Sequence, residues 1–271
     1  MDRRKILLDI GGSFIKCDDG RCTPVDSSGS REEISVSFRE AVSGCKPGDM
    51  IGVAIPGPFD YNKGIFLMKH KFASVYGERF NTLAGLPDGV ETHFVHDVVC
   101  MLRGEMVAGA GKPYRNVALI SLGTGLGFAM AVDRKIQVSP SGTPAVSIYN
   151  QPFKDGILED YASKRGILRA YQEAGGTPVL SVKDIGDRAE SGEDAAKEVF
   201  RWTGEILSGA VKEILDEYDV ECLLFGGQIS HAFDYLSAGF GSSFSRLQKV
   251  ATVSDFKRAT FNGLDSFIGE F

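Results

Sequence analysis

Short apolar runs that end in glycine-rich turns recur along the chain. Residues 6–10 are apolar apart from one aspartate and lead into a Gly-Gly pair. Residues 117–121 are largely apolar and lead into residues 123–127, in which every second residue is glycine, and another apolar run, residues 128–132, follows. Apolar runs of this length between turn residues are typical of buried strands. The pattern therefore predicts a buried strand with a tight turn near the N-terminus and a strand–turn–strand unit near the middle.

Other segments carry apolar residues at helical spacing. Ser30 and Glu33 match the capping-box pattern that opens a helix. The apolar positions that follow lie four residues apart: Ile34, Phe38 and Val42. Residues 193–218 carry the longest pattern of this kind, and residues 257–268 carry the last one. Such positions form one face of a helix, so we assign them to the core and not to a cofactor site.

Composition limits the classes of function. The 271 residues suffice for one large domain or two of ordinary size, and 43% hydrophobic with 24% charged residues is typical of a soluble globular protein. A formal net charge of −6 argues against nucleic acid as the main partner. The apolar runs are too short for a membrane span or a signal peptide. The five cysteines are scattered without a C-x-x-C pair, which favours reduced thiols and a cytoplasmic location.

The central turn has the composition of an anion site. Gly123, Gly125 and Gly127 remove Cβ atoms from one side of the turn, so backbone N–H groups can approach an anion closely. Thr124 adds a hydroxyl donor. The alternative is a glycine-rich hairpin that binds nothing.

The N-terminal turn has a similar composition and follows a carboxylate. An ionised Asp9 inside a buried strand is costly unless it is paired or bound to a metal. We favour a role for Asp9 in holding a hydrated Mg²⁺ beside a polyphosphate. Ser13 and the amides of Gly11 and Gly12 would contact the phosphate oxygens, and Lys16 follows them. The alternative is an aspartate at the edge of a sheet before an ordinary hairpin.

A second candidate carboxylate follows a later strand. Residues 92–95 predict a strand, and His96 and Asp97 stand at its carboxyl end, where ligands of open α/β sheets gather. Phosphoryl transfer to an alcohol needs a carboxylate that takes the hydroxyl proton, and we assign this role to Asp97. Alternatively Asp97 only caps the next helix. His96 either contacts the substrate or only packs against neighbouring side chains.

The two turns together resemble the phosphate-1 and phosphate-2 loops of the sugar kinase, Hsp70 and actin superfamily, and the chain is similar to the ROK family within it. The resemblance spans nearly the whole chain. It rests on six segments in the family's order and approximate spacing: DIGGSFIK (9–16), GVAIPGPFD (52–60), HD (96–97), SLGTGLGFA (121–129), GILEDYAS (156–163) and LLFGGQIS (223–230).

The resemblance implies an α/β fold of the two-lobed, actin-like ATPase (ribonuclease H-like) type. Each lobe would have a mixed sheet flanked by helices, with a cleft between the lobes. We expect an N-terminal lobe at residues 1–110 with the phosphate-1 loop, the sugar-pocket turn and the catalytic aspartate. The C-terminal lobe, residues 111–271, would carry the phosphate-2 and adenosine motifs. The last helix would pack back on the N-terminal lobe.

The resemblance also implies further site residues. Gly226 and Gly227 would face the adenosine of ATP, and Gly57 would line the sugar pocket. His70 stands beside a lysine where the family has a sugar-binding asparagine. Glu159 would accept a hydrogen bond from a sugar hydroxyl. The alternatives are an ordinary strand-to-helix turn at the two glycines, a stiff loop around Gly57, a solvated basic turn around His70, and an acidic residue that complements a helix dipole at Glu159.

Residues 139–154 depart from the family pattern. ROK kinases usually carry a Glu-x-Gly-His segment and a cysteine cluster that binds structural zinc at this point. This stretch contains no cysteine, no histidine and no acidic residue. Two of the family's sugar ligands therefore have no counterpart here, and we expect no structural zinc.

The function implied is ATP-dependent phosphorylation of a hydroxyl on a sugar, either a hexose or an amino sugar, with ATP and Mg²⁺ as cofactors. The expected partners are the sugar and ATP, with neither nucleic acid nor a membrane, and a homodimer is one expectation since ROK kinases often dimerise. The alternative is a non-catalytic regulator of the same fold that binds a sugar or nucleotide. The presence of both Asp9 and Asp97 favours catalysis. A third reading is an ATPase that acts on a protein partner.

Overall fold

The structure, a computed structural model, describes residues 3–271. The first two residues of the expected lobe 1–110 therefore lie outside the described residues. Its strands are β1 Lys5–Ile10, β2 Phe14–Cys17, β3 Cys22–Pro24, β4 Met50–Ile55, β5 Phe59–Asp60, β6 Ile65–Phe66, β7 Glu91–His96, β8 Val117–Leu122, β9 Leu126–Val132, β10 Lys135–Ile136, β11 Pro152–Phe153, β12 Gly156–Ile157, β13 Cys222–Gly226 and β14 Lys249–Thr252. Its α-helices are α1 Arg31–Ala41, α2 Phe80–Leu83, α3 Asp97–Ala108, α4 Leu158–Tyr161, α5 Lys164–Glu173, α6 Val182–Glu190, α7 Asp194–Glu217, α8 Phe233–Ser237 and α9 Phe256–Ile268. Within residues 3–271, no helix has the length and apolar character that crossing a membrane requires.

The chain forms two compact units. The first contains the described residues up to Gly109 together with Val138–Ala145 and Lys257–Phe271. The second contains Ala110–Gln137 and Val146–Phe256. The sequence expectation had assigned Val138–Ala145 to the C-terminal lobe, and the boundary of the lobes stays a prediction.

The sheet of the first unit has the strand order β3-β2-β1-β4-β7. Strands β1, β2 and β3 are antiparallel, whereas β1, β4 and β7 are parallel. The carboxyl ends of the three parallel strands therefore share one edge, which is where ligands of such sheets bind. The register places Asp9 opposite Lys16 on one side and Ala54 on the other. The turns that follow β1, β4 and β7 supply the candidate residues of this unit.

An aromatic cluster fills the core of the first unit. Phe38 of α1 is fully buried, and its ring centroid lies 5.2 Å from that of Phe80 and 5.6 Å from that of Phe66. Ser30 and Glu33 form the predicted capping box at the start of α1. The cap fixes where α1 begins and so directs Phe38 into the core.

Helices α3 and α9 of this unit cross at two glycines. A Cβ atom on Gly104 would lie 1.8 Å from the carbonyl oxygen of Ala259, and one on Gly263 would lie 1.9 Å from that of Cys100. The Cys100 thiol also lies 3.1 Å from the Thr260 carbonyl oxygen. Only glycine permits so close an approach of two helix backbones. The crossing therefore fixes α3, the helix that begins at Asp97.

The second unit repeats the sheet topology of the first. Its strand order is β10-β9-β8-β13-β14, with β8, β9 and β10 antiparallel and β8, β13 and β14 parallel. Leu122 pairs with Leu126 across the glycine turn, so the predicted strand–turn–strand unit is confirmed. The long helix predicted at residues 193–218 is observed as α7, which packs on the core of this unit.

Candidate active site

Asp9 lies at the ligand edge of the first unit's sheet and pairs with Lys16. The Lys16 Nζ atom is 3.3 Å from Asp9 Oδ2, and the Asp9 side chain is 19% exposed. Burial raises the pKa of Asp9 above its ordinary value, the Lys16 charge opposes this effect, and the Asp97 charge adds to it. Lys16 therefore compensates the buried carboxylate only in part, and a further cation nearby would favour its ionised form.

This environment fits a hydrated magnesium ion. Mg²⁺ commonly keeps several waters and binds through one or two carboxylates plus substrate phosphates. Between residues 3 and 271 no group of three or more His, Cys, Asp or Glu side chains is placed to hold a metal ion. Asp9 is a carboxylate that could hold such an ion through its water shell.

The turn after β1 presents free backbone donors. The Gly11 amide donates to the Phe14 carbonyl at 2.9 Å, and the Gly12 carbonyl accepts from the Ser27 amide at 3.0 Å. Within the described part of the chain, the amides of Gly12 and Ser13 donate to no protein acceptor. Two neighbouring unpaired amides in a glycine turn form a concave donor site for an anion.

Asp97 is the first residue of α3, and His96 is its N-cap. The cap position that the alternative interpretation gave to Asp97 is thus occupied by His96. His96 Nδ1 lies 2.8 Å from Asp97 Oδ1, and the Val98 amide donates to the same oxygen at 2.7 Å. Across residues 3–271, Oδ2 of Asp97 accepts no hydrogen bond from the protein, and the side chain is 43% exposed. One carboxylate oxygen is thus held while the other is available.

Electrostatics keep Asp97 ionised. Burial opposes ionisation, but the charge of His96, hydrogen bonds from His96 and Val98, and the charge of Lys71 outweigh it and lower the pKa of Asp97. A carboxylate of low pKa is a base at every neutral or mildly acidic pH. The predicted base therefore has the ionisation state that its role requires.

Gly57 follows β4 and lies beside His96. A Cβ atom at Gly57 would lie 3.4 Å from His96 Nε2 and 3.4 Å from the Tyr61 hydroxyl. The Tyr61 hydroxyl donates to the Ile55 carbonyl at 3.1 Å, and burial raises its pKa well above the ordinary value. The Tyr61 hydroxyl is therefore uncharged. Because Gly57 has no side chain, the space between Gly57, Tyr61 and His96 stays unfilled.

The basic segment after β6 places the Lys71 side chain over the turn that follows β1. His70 is exposed. The Lys71 side chain passes over the Gly12 turn, and its charge is among those that lower the pKa of Asp97. Sequence reasoning identified the basic segment but not this residue, since spacing in an irregular segment does not reveal which side chain faces the turn.

Val138–Ala145 supplies a feature that sequence reasoning missed. The Ser139 hydroxyl lies 2.8 Å from the hydroxyls of both Ser141 and Thr143. The Asn62 side-chain Nδ2 donates to the Pro140 carbonyl at 2.9 Å, and a Cβ atom on Gly142 would lie 2.8 Å from Tyr61 Cβ. Part of the stretch that departs from the family pattern thus packs on Tyr61 within the first unit.

The second unit contains a cavity of about 630 Å³ beside the central turn. Gly123 and Thr124 line it, together with Lys164 at the start of α5 and Lys183 of α6. The Lys164 amide donates to the Gly123 carbonyl at 3.0 Å. The predicted anion turn therefore opens on a cavity of the size that holds small molecules. Asp187 and Glu190 also line it, and Lys183 pairs with Asp187 at 2.6 Å.

Glu159 supports the central turn from within the same unit. Its Oε2 accepts from the Leu126 amide at 2.9 Å, and Oε1 lies 3.2 Å from Arg165. A Cβ atom on Gly125 would lie 2.8 Å from Oε2. Gly125 is thus needed for this contact, while the predicted contact of Glu159 with a sugar stays a prediction.

Gly226 and Gly227 turn the chain at the end of β13. Gly227 has φ +81°, and a Cβ atom there would lie 2.2 Å from the Leu122 carbonyl oxygen. Its own carbonyl accepts from the Ser230 hydroxyl at 2.8 Å and from the Ser230 amide at 3.0 Å. The following residues, Gln228 and Ile229, line the cavity. The two glycines thus lead the backbone into the cavity wall.

The sequence is similar to those of known proteins. The family model described as ROK family matches residues 44–270. A glucokinase of Streptomyces coelicolor is 28% identical over 198 residues, which are 62% of this chain and 60% of that protein. The N-acetylgalactosamine kinase AgaK of a Shewanella species is 22% identical over 97% of this chain and 94% of its own. The chain thus spans less than two thirds of the Streptomyces relative and nearly all of the second protein.

A solved structure shares the fold. The ROK family glucokinase from Streptomyces griseus, in complex with glucose and AMPPNP, superimposes with a TM-score of 0.77 at 20% identity, covering 97% of this chain and 98% of that one. This likeness, with the two mixed sheets described above, confirms the predicted α/β fold of the actin-like ATPase type. Since the family model covers most of its length, the chain belongs to the ROK family.

Proposed function

We propose that the protein is an ATP-dependent kinase that phosphorylates a hydroxyl of a sugar. The observation that carries this proposal is Asp97, a carboxylate of lowered pKa with one oxygen held by His96 and Val98 and the other free, whose charge also acts on Asp9. The glucokinase and N-acetylgalactosamine kinase among the relatives support it. They favour a hexose or an amino sugar as acceptor.

In this proposal Asp97 acts as the base. Its free oxygen accepts a hydrogen bond from the acceptor hydroxyl and takes the proton as the new oxygen–phosphorus bond forms. His96 and the Val98 amide hold the other oxygen, so the carboxylate keeps its orientation. A base fixed in this way aligns the attacking oxygen for in-line transfer.

Glycine turns bind the phosphates. The amides of Gly12 and Ser13 donate to phosphate oxygens on the first unit, with Gly11 permitting the turn and Lys16 supplying charge. Gly123, Thr124 and Gly125 do so on the second unit, and the adenosine occupies the cavity beside Gly226 and Gly227. Asp9 would hold Mg²⁺ through its water shell, and the bound ion would neutralise phosphate charge.

The acceptor contacts are proposed for four residues besides the base. Gly57 leaves room for the sugar, while His96, His70 and Glu159 offer polar contacts. We further propose a cytoplasmic location, because all five cysteines are free. A homodimer is expected from the family resemblance alone, and light scattering of the purified protein tests it.

A coupled ADP-release assay tests the proposed function. Turnover with Mg·ATP is measured alone and with a panel of hexoses, amino sugars and N-acetylated sugars. One sugar that raises turnover well above the ATP-only rate would establish a kinase and name its acceptor. If no sugar does so while ATP still binds, the proposal fails and the non-catalytic regulator takes its place. ATP hydrolysis that no sugar stimulates would instead favour an ATPase that acts on a protein partner.

A further inference from the structure

Two backbone hydrogen bonds fix Lys71 next to the turn after β1. The Ser27 amide donates to the Gly12 carbonyl at 3.0 Å, and the Phe72 amide donates to the Ser27 carbonyl at 2.6 Å. Phe72 is fully buried, and its ring lies 5.4 Å from that of Phe66. The residue that follows Lys71 is thus an anchor in the aromatic core. The position of Lys71 is set by the fold of this unit.

The Lys71 side chain lies over the Gly12 turn. A Cβ atom on Gly12 would be 3.8 Å from Lys71 Cε and 3.9 Å from Cδ. The Lys71 charge also contributes to the lowered pKa of Asp97, which places the ammonium within electrostatic reach of that carboxylate. Lys71 is therefore near both the unpaired amides of the turn and the base.

The Lys71 ammonium has no partner of its own. In the described part of the chain it makes neither a hydrogen bond nor an ion pair, although the residue is half-buried. Two neighbouring lysines differ in this respect. Lys16 pairs with Asp9 at 3.3 Å, and Lys69 lies over the Tyr76 ring at 5.6 Å. A half-buried ammonium group without a partner does not stabilise the fold, because a partly desolvated charge is costly unless it is paired. A bound anion would supply the missing partner.

We propose that Lys71 is a catalytic residue that binds the phosphoryl group during its transfer. This inference rests on the proposed kinase function. The acceptor oxygen bonds to phosphorus, its proton passes to Asp97, and the bond from phosphorus to the leaving oxygen of ADP breaks. Lys71 keeps its proton throughout and donates hydrogen bonds to the equatorial oxygens, where negative charge is spread in the transition state.

Kinetics of Lys71→Ala and Lys71→Arg test the assignment. We expect Lys71→Ala to lower kcat about 100-fold, with KM for ATP and for the sugar nearly unchanged, since the contact forms mainly in the transition state. Lys71→Arg should recover part of the loss because it keeps the charge. Lys63→Ala is the matched control, since Lys63 is 64% exposed and lies 3.9 Å from Asp60. An unchanged kcat for Lys71→Ala would overturn the assignment. A raised sugar KM at constant kcat would also overturn it and move Lys71 to the acceptor.

A binding measurement separates this inference from the proposed function. Calorimetry compares Mg·ADP alone with Mg·ADP plus aluminium fluoride, which mimics the transferred phosphoryl group. Lys71→Ala should bind Mg·ADP as the unaltered protein does and lose about tenfold or more in affinity for the fluoride complex. Equal affinities for that complex would overturn the inference. If the unaltered protein phosphorylates no sugar, the proposed function fails, and this comparison still decides the role of Lys71.

Discussion

His96 Nδ1 lies 2.8 Å from Asp97 Oδ1, across the point where β7 ends and α3 begins. The two residues are adjacent in sequence, yet His96 has extended backbone and Asp97 is already helical. This change of direction turns both side chains toward each other. A histidine in this position can add a positive charge beside the carboxylate.

Removal of His96 should change the pH dependence of the reaction. His96 lowers the pKa of Asp97, so His96→Ala should raise it. The base works only when ionised, and activity is lost as pH falls through its pKa. The acid limb of kcat/KM should therefore move to higher pH in His96→Ala, and less so in His96→Asn, which keeps a donor. His93→Ala is the control, because His93 pairs with Glu91 instead. An acid limb that stays in place would contradict the role of His96.

Loss of the base should abolish most of the turnover. Asp97→Asn keeps the shape of the side chain but cannot take a proton, so we expect kcat to fall about 10²- to 10⁴-fold. ATP affinity should change little. The control is Asp265→Asn, since Asp265 is 62% exposed and pairs with Lys5 at the surface. Sugar phosphorylation close to the unaltered rate in Asp97→Asn would show that another group is the base.

Replacing Gly104, where α3 and α9 cross, by a residue with a side chain should destabilise the protein. Gly104→Ala places a Cβ atom 1.8 Å from a backbone carbonyl oxygen, so we expect unfolding free energy to fall by about 1–3 kcal/mol. Gly209→Ala in α7 meets nothing within 4 Å and should stabilise by about 0.5–1 kcal/mol. Urea unfolding of both variants measures the difference. Equal stabilities would mean that the two helices do not approach as described.

Two cysteines of one hairpin should differ in reactivity. Cys17 is buried, and burial is the main cause that raises the pKa of its thiol to about 11. Cys22 is exposed. Iodoacetamide at pH 8 should therefore alkylate Cys22 and leave Cys17 unmodified until the protein is unfolded, because only thiolates react. Peptide mapping by mass spectrometry reads out both sites. Rapid labelling of native Cys17 would contradict its burial.

Zinc should be absent from the purified protein. Residues 139–154 offer neither thiol nor imidazole ligands, and oxygen ligands alone hold structural zinc poorly. Elemental analysis of protein purified without chelators should find zinc well below one ion per chain. Chelation should then leave the melting temperature unchanged. Stoichiometric zinc would show that the shortened segment uses ligands from elsewhere in the chain.

Local signals in the sequence were sufficient for much of the fold. The alternating glycines between two apolar runs predicted the β8–β9 turn, because turn formation depends on residues only a few positions apart. The capping box at Ser30 and Glu33 is local in the same sense. The start of α3 was harder to predict, since Asp97 is a residue type that caps helices, and the cap is instead His96, whose backbone is extended.

Contacts between distant segments could not be predicted in this way. Glu159 accepts from the Leu126 amide across 33 residues of sequence, and Lys71 lies over the Gly12 turn although α1 and β4 come between them in the sequence. The packing of Val138–Ala145 on Tyr61 also joins segments far apart in sequence. These contacts depend on how the sheet and its loops assemble, and no periodicity in a single sequence encodes that.

The first unit combines segments that precede and follow the second unit in sequence, and this order has a consequence for biosynthesis. The ribosome makes α3 early, whereas Gly263, which closes the crossing with α3, emerges only after the whole second unit has been made. The second unit is interrupted only by Val138–Ala145 and can fold while the chain is still growing. The face of α3 that α9 covers therefore stays exposed to solvent until the second unit and α9 have been made.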